Sequence, residues 1–211
     1  MKIKGHHKPE NVSDKIALGF TKTMRFFADT FFKKRYGHRA VVLETVAAVP
    51  GMVAGMLMHL KSLRNIENDK GWIKTLLDEA ENERMHLMIF INIAKPTLIE
   101  RIVIMLAQFI FILIYLLIYI SSKRTAHRIV GYFEEEAVFS YTEFLNEIDS
   151  GKIENGPAPK IAIDYYNLPL KATLRDVVLK VREDEAGHRD VNHSFANILN
   201  HKSDPNEEQQ A

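Results

Sequence analysis

The stretch Glu83-Arg84-Met85-His86 and its counterpart Glu185-Ala186-Gly187-His188 stand about a hundred residues apart in this chain of 211 residues. Each Glu-x-x-His quartet lies within a helical pattern of apolar residues. Because residues i and i+3 of a helix share a face, each quartet can direct one carboxylate and one imidazole to a common point. Two such pairs, with one glutamate from each of two further helices, form the ligand set of carboxylate-bridged di-iron or di-manganese bundles. The repeated quartet therefore predicts a four-helix metal protein.

Two further glutamates must then come from other helices. Glu44 lies on a predicted helix over residues 37–64, where its same-face neighbours are small and apolar, so an unpaired carboxylate there would be costly to bury. The second comes from Glu134-Glu135-Glu136, whose adjacent side chains point about 100° apart on a helix. Glu135 shares its face with polar residues and is expected to be more exposed. Periodicity leaves Glu134 and Glu136 competing.

The resulting donors suit iron that changes its oxidation state, because carboxylate oxygens hold the ferric form and neutral imidazoles the ferrous form. Four carboxylates would also offset the charge of two ferrous ions. We therefore predict two non-haem irons, although the spacing alone does not separate iron from manganese. The predicted ligands are Glu44, Glu83, His86, Glu134 (with Glu136 as its competitor), Glu185 and His188.

Composition narrows the class of protein. The 46% hydrophobic content is ordinary for a globular chain of one domain, and a net charge of +1 argues against nucleic acid as a partner. Residues 1–40 nevertheless carry an excess of seven positive charges, which suits an anionic membrane surface. The sequence contains no Cys, which excludes disulfides, iron–sulfur clusters and thiol nucleophiles.

The predicted organisation is all-α. A polar arm over residues 1–14 precedes a single di-iron domain over residues 15–201, and residues 202–211 form a disordered tail. The domain is expected to be a ferritin-like four-helix bundle with helices near 37–64, 72–94 and 174–201. Additional amphipathic and hydrophobic helices would form a monotopic membrane-binding face.

Two segments are predicted to reach the membrane. Residues 15–34 place several Phe side chains beside Lys and Arg, as an interfacial helix requires. Residues 102–120 contain Gln108 as their only strongly polar side chain and are long enough to span a bilayer. However, Glu83 and Glu134 flank this run and must meet at one metal site. We therefore favour a segment lying in one leaflet, or merging into a long helix through residue 148, over a complete span.

Four sequence motifs resemble those of the alternative oxidases, the cyanide-insensitive ubiquinol oxidases of mitochondria and some bacteria. The motifs are Leu43-Glu44-Thr45, Asn82-Glu83-Arg84-Met85-His86-Leu87, Glu134-Glu135-Glu136-Ala137 and Arg182-Glu183-Asp184-Glu185-Ala186-Gly187-His188. The resemblance covers residues 26–197, with small departures at Glu183 and Phe133. It implies a membrane-bound di-iron carboxylate protein of the fold predicted above.

The resemblance also implies residue roles. It selects Glu134 as the ligand among the three glutamates and makes Tyr141 a redox-active side chain beside the metals. Asn82, His127 and Asp184 would orient the ligands. The implied quinol pocket consists of Arg39, Leu43, Glu136, Ala137 and Ser140, with Arg25 as a further candidate.

The expected function is oxidation of ubiquinol with reduction of O2 to water, resistant to cyanide and without proton pumping. The expected assembly is a homodimer on one leaflet of a membrane. It would lie on the cytoplasmic face of a bacterial inner membrane, or on the matrix side of the mitochondrial inner membrane if a presequence has been removed. Alternatives are another membrane-associated di-iron enzyme, such as a quinone-biosynthesis hydroxylase, and a ferritin-like iron-binding protein.

Overall fold

The structure, a computed structural model, describes residues 6–32 and 35–201 of the chain. These residues form seven α-helices and no β-strand, which confirms the predicted all-α class. The predicted tail 202–211, part of the polar arm (1–5) and residues 33–34 lie outside the described residues. The helices are α1 (Val12–Phe32), α2 (Tyr36–Asn65), α3 (Trp72–Ala94), α4 (Leu98–Ser121), α5 (Lys123–Asp149), α6 (Lys160–Tyr166) and α7 (Leu174–His201).

The break between α4 and α5 decides one of the alternatives for the apolar run. Ser122 has an extended backbone (φ −158°, ψ 100°), and its hydroxyl accepts a hydrogen bond from the Thr125 backbone N–H at 3.2 Å. Such a side chain caps the start of a new helix. The alternative of one continuous helix from the apolar run through residue 148 is therefore wrong.

The described helices group into two compact units. The first combines most of α1 with α5 and most of α7, while the second contains α2, α3, α6, most of α4 and the first residues of α7. Two predicted ligand helices lie in each unit. The single domain over residues 15–201 stays a prediction.

The first unit has an apolar core and a buried ionic anchor. Ala17 of α1 packs with Ile129 and Tyr132 of α5. One turn earlier, the fully buried Asp14 pairs with Arg124 at 2.8 Å and with Arg128 at 3.1 Å. Because breaking a buried pair leaves an uncompensated charge, these contacts tie the start of α1 to α5.

In the second unit, α2 and α3 approach each other closely at Gly51. A Cβ atom at this position would lie 2.3 Å from the backbone oxygen of Leu76, so only glycine fits. The helix α2 continues through Pro50. On the other side of α2, the Gln108 amide donates to the Thr45 backbone oxygen at 3.0 Å. Gln108, the only strongly polar side chain of residues 102–120, therefore has a hydrogen-bond partner on α2.

Large apolar side chains are exposed along α1 and α4. Phe26 is 66% and Phe109 is 60% exposed. Two of the described helices, α2 and α4, are long and apolar enough to cross a membrane. The apolar segment of α2 is more than half buried within the protein, whereas only about a fifth of that of α4 is buried. The uncovered apolar surface of α4 is unusual for a protein surrounded by water. Membrane attachment stays a prediction.

Candidate metal centre

One half of the predicted ligand set is assembled in the second unit. Glu44 on α2 and Glu83 on α3 are both 2% exposed, and His86 is fully buried. The His86 Nδ1 atom lies 3.3 Å from a Glu44 oxygen and 3.5 Å from a Glu83 oxygen. One ligand atom from each of the three residues lies within 4.8 Å of those of the other two. The helical spacing of Glu83 and His86 brings them together as predicted.

The chemistry of this cluster fits a metal ion. Two carboxylates buried side by side repel each other and lose their hydration, which is costly unless cations compensate. Carboxylate oxygens together with an imidazole nitrogen are donors that iron and similar divalent metals accept. The buried cluster of Glu44, Glu83 and His86 could therefore bind a metal ion.

The other half of the set lies in the first unit. Glu134 on α5 is 4% exposed and Glu185 on α7 is 1% exposed. The His188 Nδ1 atom lies 3.8 Å from a Glu185 oxygen, so the second Glu-x-x-His quartet has the same internal arrangement as the first. Glu136, the competitor of Glu134, is instead an ion-pair partner of Arg25. The choice of Glu134 over Glu136 as the ligand stays a prediction.

His127 is held in one tautomer close to the backbone of His188. Its Nδ1 atom lies 3.1 Å from the Asn192 side-chain oxygen, while the Asn192 amide donates to the His188 backbone oxygen at 3.0 Å. Because the Asn192 NH2 group points to the His188 carbonyl, it is the Asn192 oxygen that faces His127. An amide oxygen can only accept a hydrogen bond, so the Nδ1 atom of His127 carries the proton. Burial lowers the pKa of the His127 imidazole to about 4, opposed by the hydrogen bond to Asn192 and assisted by the charge of Lys123. His127 is therefore neutral.

The other predicted supporting residues have separate surroundings. Asn82 donates from its amide to the Tyr165 hydroxyl at 2.7 Å. Asp184 is half-buried on α7. Tyr141 is 2% exposed and lies two turns beyond Glu134 along α5. These positions are consistent with the predicted roles, which stay predictions.

Comparison with known proteins identifies the family. The sequence model of the alternative oxidases matches residues 2–197. The chain belongs to the alternative oxidase family. It is 60% identical over 200 residues to "Ubiquinol oxidase, mitochondrial" of Batrachochytrium dendrobatidis. The aligned residues make up 94% of this chain and 63% of that protein. It is 59% identical over 198 residues to "Ubiquinol oxidase 2, mitochondrial" of Arabidopsis thaliana, covering 94% and 56%. The chain thus spans about 60% of the length of these curated relatives.

In this member of the alternative oxidase family, two of the predicted quinol-binding residues, Arg25 and Glu136, contact each other in the first unit. The Arg25 guanidinium on α1 forms a short ion pair with Glu136 on α5 and contacts Asp29 at 3.0 Å. Burial by itself would lower the pKa of the Arg25 guanidinium. The hydrogen bonds and negative charges of Asp29 and Glu136 have the larger effect, and the pKa is raised. On the same helix as Glu136, Ser140 is buried and Ala137 is half-buried. The role of Arg25 in a quinol site stays a prediction.

The remaining predicted substrate residues lie on α2 in the second unit. Arg39 is 4% exposed, and Leu43 is half-buried one turn further along the helix, directly before the predicted ligand Glu44. A buried guanidinium can bind a polar headgroup. Its role in this alternative oxidase stays a prediction.

Several residues near the half-sites were missed by sequence reasoning. The Tyr166 ring on α6 stacks near the His86 ring with centroids 6.5 Å apart, and α6 itself was not predicted. A pair of tyrosines between two prolines was the available signal. Glu135, expected to be more exposed, has a side chain only 11% exposed and contacts His193 at 2.9 Å. His193 lies far away in the sequence, so helical periodicity could not reveal that contact.

Proposed function

We propose that this chain is a ubiquinol oxidase that oxidises ubiquinol and reduces O2 to water, resistant to cyanide and without proton pumping. The observation that carries the proposal is the buried cluster of Glu44, Glu83 and His86 in a chain of the alternative oxidase family. The printed names of the relatives, ubiquinol oxidases, supply the substrate. Two ubiquinols would supply the four electrons that one O2 requires.

The two half-sites are proposed to hold two non-haem irons together. Glu44, Glu83 and His86 would provide one half, and Glu134, Glu185 and His188 the other. When bound, the irons supply the electrons and open coordination positions that O2 reduction needs. The four carboxylates neutralise the ions, and the imidazoles hold the lower oxidation state.

The chain's own residues are proposed to handle the substrate and the protons. Glu136, fixed by Arg25, would accept a hydrogen bond from the ubiquinol hydroxyl, with Arg39, Leu43, Ala137 and Ser140 around the headgroup. Tyr141, buried on the helix of Glu134, can donate an electron and a proton from its phenol. Neutral His127 would keep the turn of α7 at His188 in place. Asn82 and Asp184 are proposed to orient the ligands of α3 and α7.

The protein is proposed to bind one leaflet of a membrane through α1 and α4, because ubiquinol resides in the bilayer. The word "mitochondrial" in the relatives' printed names favours a mitochondrial membrane over a bacterial one, and we propose the matrix side of the inner membrane. A homodimer is proposed to use the helices around residues 47–60 and 102–120, and Met52, Met56 and Leu60 in the first range are exposed. Light scattering in mild detergent measures the mass, and a monomer at high concentration would contradict the dimer.

The decisive experiment compares Glu185→Gln with Glu183→Gln. Both change a glutamate on α7, but Glu183 is exposed and pairs with Lys180 at 2.8 Å. In membranes supplied with a short-chain ubiquinol and cyanide, Glu185→Gln should abolish O2 uptake and lower the iron content of the purified protein. Glu183→Gln should retain both. Iron-loaded wild-type protein without ubiquinol-dependent uptake would refute the proposal, and a hydroxylated quinone product would favour the hydroxylase alternative.

A further inference from the structure

The residues before α1 are attached to α5 and α7 by a cluster of histidines and one glutamate. The His7 backbone N–H donates to Glu135 at 2.7 Å, and the Tyr132 hydroxyl donates to the His7 backbone oxygen at 3.1 Å. The His7 ring stacks on the His193 ring with centroids 4.7 Å apart. These contacts fix the backbone of His7, and with it the position of His6.

The His6 ring bridges two consecutive glutamates of α5. Its Nδ1 atom lies 2.5 Å from a Glu135 oxygen and its Nε2 atom 2.9 Å from a Glu136 oxygen. Each ring nitrogen thus faces a carboxylate oxygen of a different glutamate, so one side chain links Glu135 to Glu136.

Glu136 is consequently held on both of its oxygens. One oxygen faces His6, and the other faces the guanidinium of Arg25. Arg25 is itself fixed by Asp29 and by the Phe139 ring, whose centroid lies 4.7 Å from the guanidinium carbon. Since each carboxylate oxygen has two lone pairs, these contacts set the direction of the lone pairs that remain.

We propose that His6 is a positioning residue of the quinol site, orienting the Glu136 carboxylate from the side opposite Arg25. The inference rests on the proposed function, since it takes Glu136 as the group that binds the ubiquinol hydroxyl. His6 acts through Glu136 and does not itself contact the substrate. It makes the segment ahead of α1 part of the substrate site.

The test uses two substitutions of His6 and a matched control. His6→Gln removes the ring whose two nitrogens bridge the two glutamates, whereas His6→Arg supplies several donors that can serve both glutamates. His59→Gln changes an exposed histidine of α2. The full-length protein is assayed for kcat and KM with a short-chain ubiquinol. The Kd of the corresponding oxidised quinone is measured by calorimetry, which does not depend on turnover.

We expect His6→Gln to raise KM and Kd by roughly fivefold, as the loss of one charge-assisted hydrogen bond predicts, with kcat within about twofold of wild type. His6→Arg should restore both constants. His59→Gln should leave them unchanged.

The outcomes distinguish this inference from the proposed function. Wild-type ubiquinol oxidation with unchanged KM and Kd in His6→Gln would overturn the role of His6 and leave the function intact. Equal losses of kcat and of the unfolding temperature in both His6 variants would show a structural role and also overturn it. If iron-loaded wild-type protein neither binds quinone nor oxidises ubiquinol, both the proposed function and the role of His6 are refuted.

Discussion

His127 shows how burial of a single residue determines its charge. Its pKa of about 4 in the folded chain compares with 6.5 for an ordinary histidine. Between these values the unfolded chain binds a proton that the folded chain does not, so folding stability falls as the pH drops through this window. We expect the stability of the wild type relative to His127→Gln to fall by about 2 kcal/mol from pH 7 to pH 4.5. Thermal or denaturant unfolding of the two proteins across this pH range measures the difference.

The exposed His59→Gln variant is the control for the removal of a histidine. A constant difference between wild type and His127→Gln over the whole pH range would show that His127 binds protons equally in the folded and unfolded chains, and burial would then not lower its pKa.

The internal arrangement of each predicted ligand pair could be read from the sequence, because residues i and i+3 share a helix face whatever the tertiary structure. Glu83 with His86 and Glu185 with His188 are arranged accordingly. The surroundings of Glu135 were not accessible, because its partners His6 and His193 lie on segments far away in the sequence. Local periodicity carries information about one helix and none about which distant residue packs against it.

At the scale of helices, the contact between α2 and α3 depends on one glycine. Gly51→Ala places a methyl group against the Leu76 backbone oxygen, which cannot rotate away as a side chain could. Overpacking of this kind costs about 1–3 kcal/mol, more than the gain of up to about 1 kcal/mol from the better helix propensity of Ala. We expect Gly51→Ala to lower the thermal stability. We also expect weaker iron retention, because the methyl group would push apart α2 and α3, the helices that carry Glu44 and Glu83.

The matched control is Gly19→Ala on α1, where a Cβ atom would meet no other atom within 4 Å. It should be neutral or slightly stabilising. Gly51→Ala with the stability of Gly19→Ala would show that α2 and α3 can separate at no cost, contrary to the packing described.

Helix positions were predictable where caps and periodicity agree, as for Trp72–Ala94 and Leu174–His201. The short helix α6 was not predicted, since seven residues carry too little periodicity to separate a helix from a loop. The break at Ser122 was missed for another reason. Helical patterns continue on both sides, and only the capping hydrogen bond to Thr125 reveals where one helix stops.

At the scale of the whole molecule, the path of α4 relative to the membrane is the main open prediction. Its 24 residues are long enough, at about 1.5 Å per residue, to cross the hydrocarbon core of a bilayer. However, Glu83 precedes this helix, Glu134 follows it, and the proposed metal centre needs both carboxylates on one side. The helix should therefore lie within one leaflet.

Because the chain contains no Cys, single cysteines report this topology without background. Asn92→Cys lies near the end of α3 and Ser121→Cys at the end of α4, and both positions are exposed. In sealed vesicles, a membrane-impermeant maleimide should label both variants from the same side, because a helix in one leaflet returns the chain to the face it left. If one variant were labelled only after detergent opened the vesicles, α4 would span the bilayer. Glu83 and Glu134 would then lie on opposite sides, and the six-residue iron site would have to be abandoned.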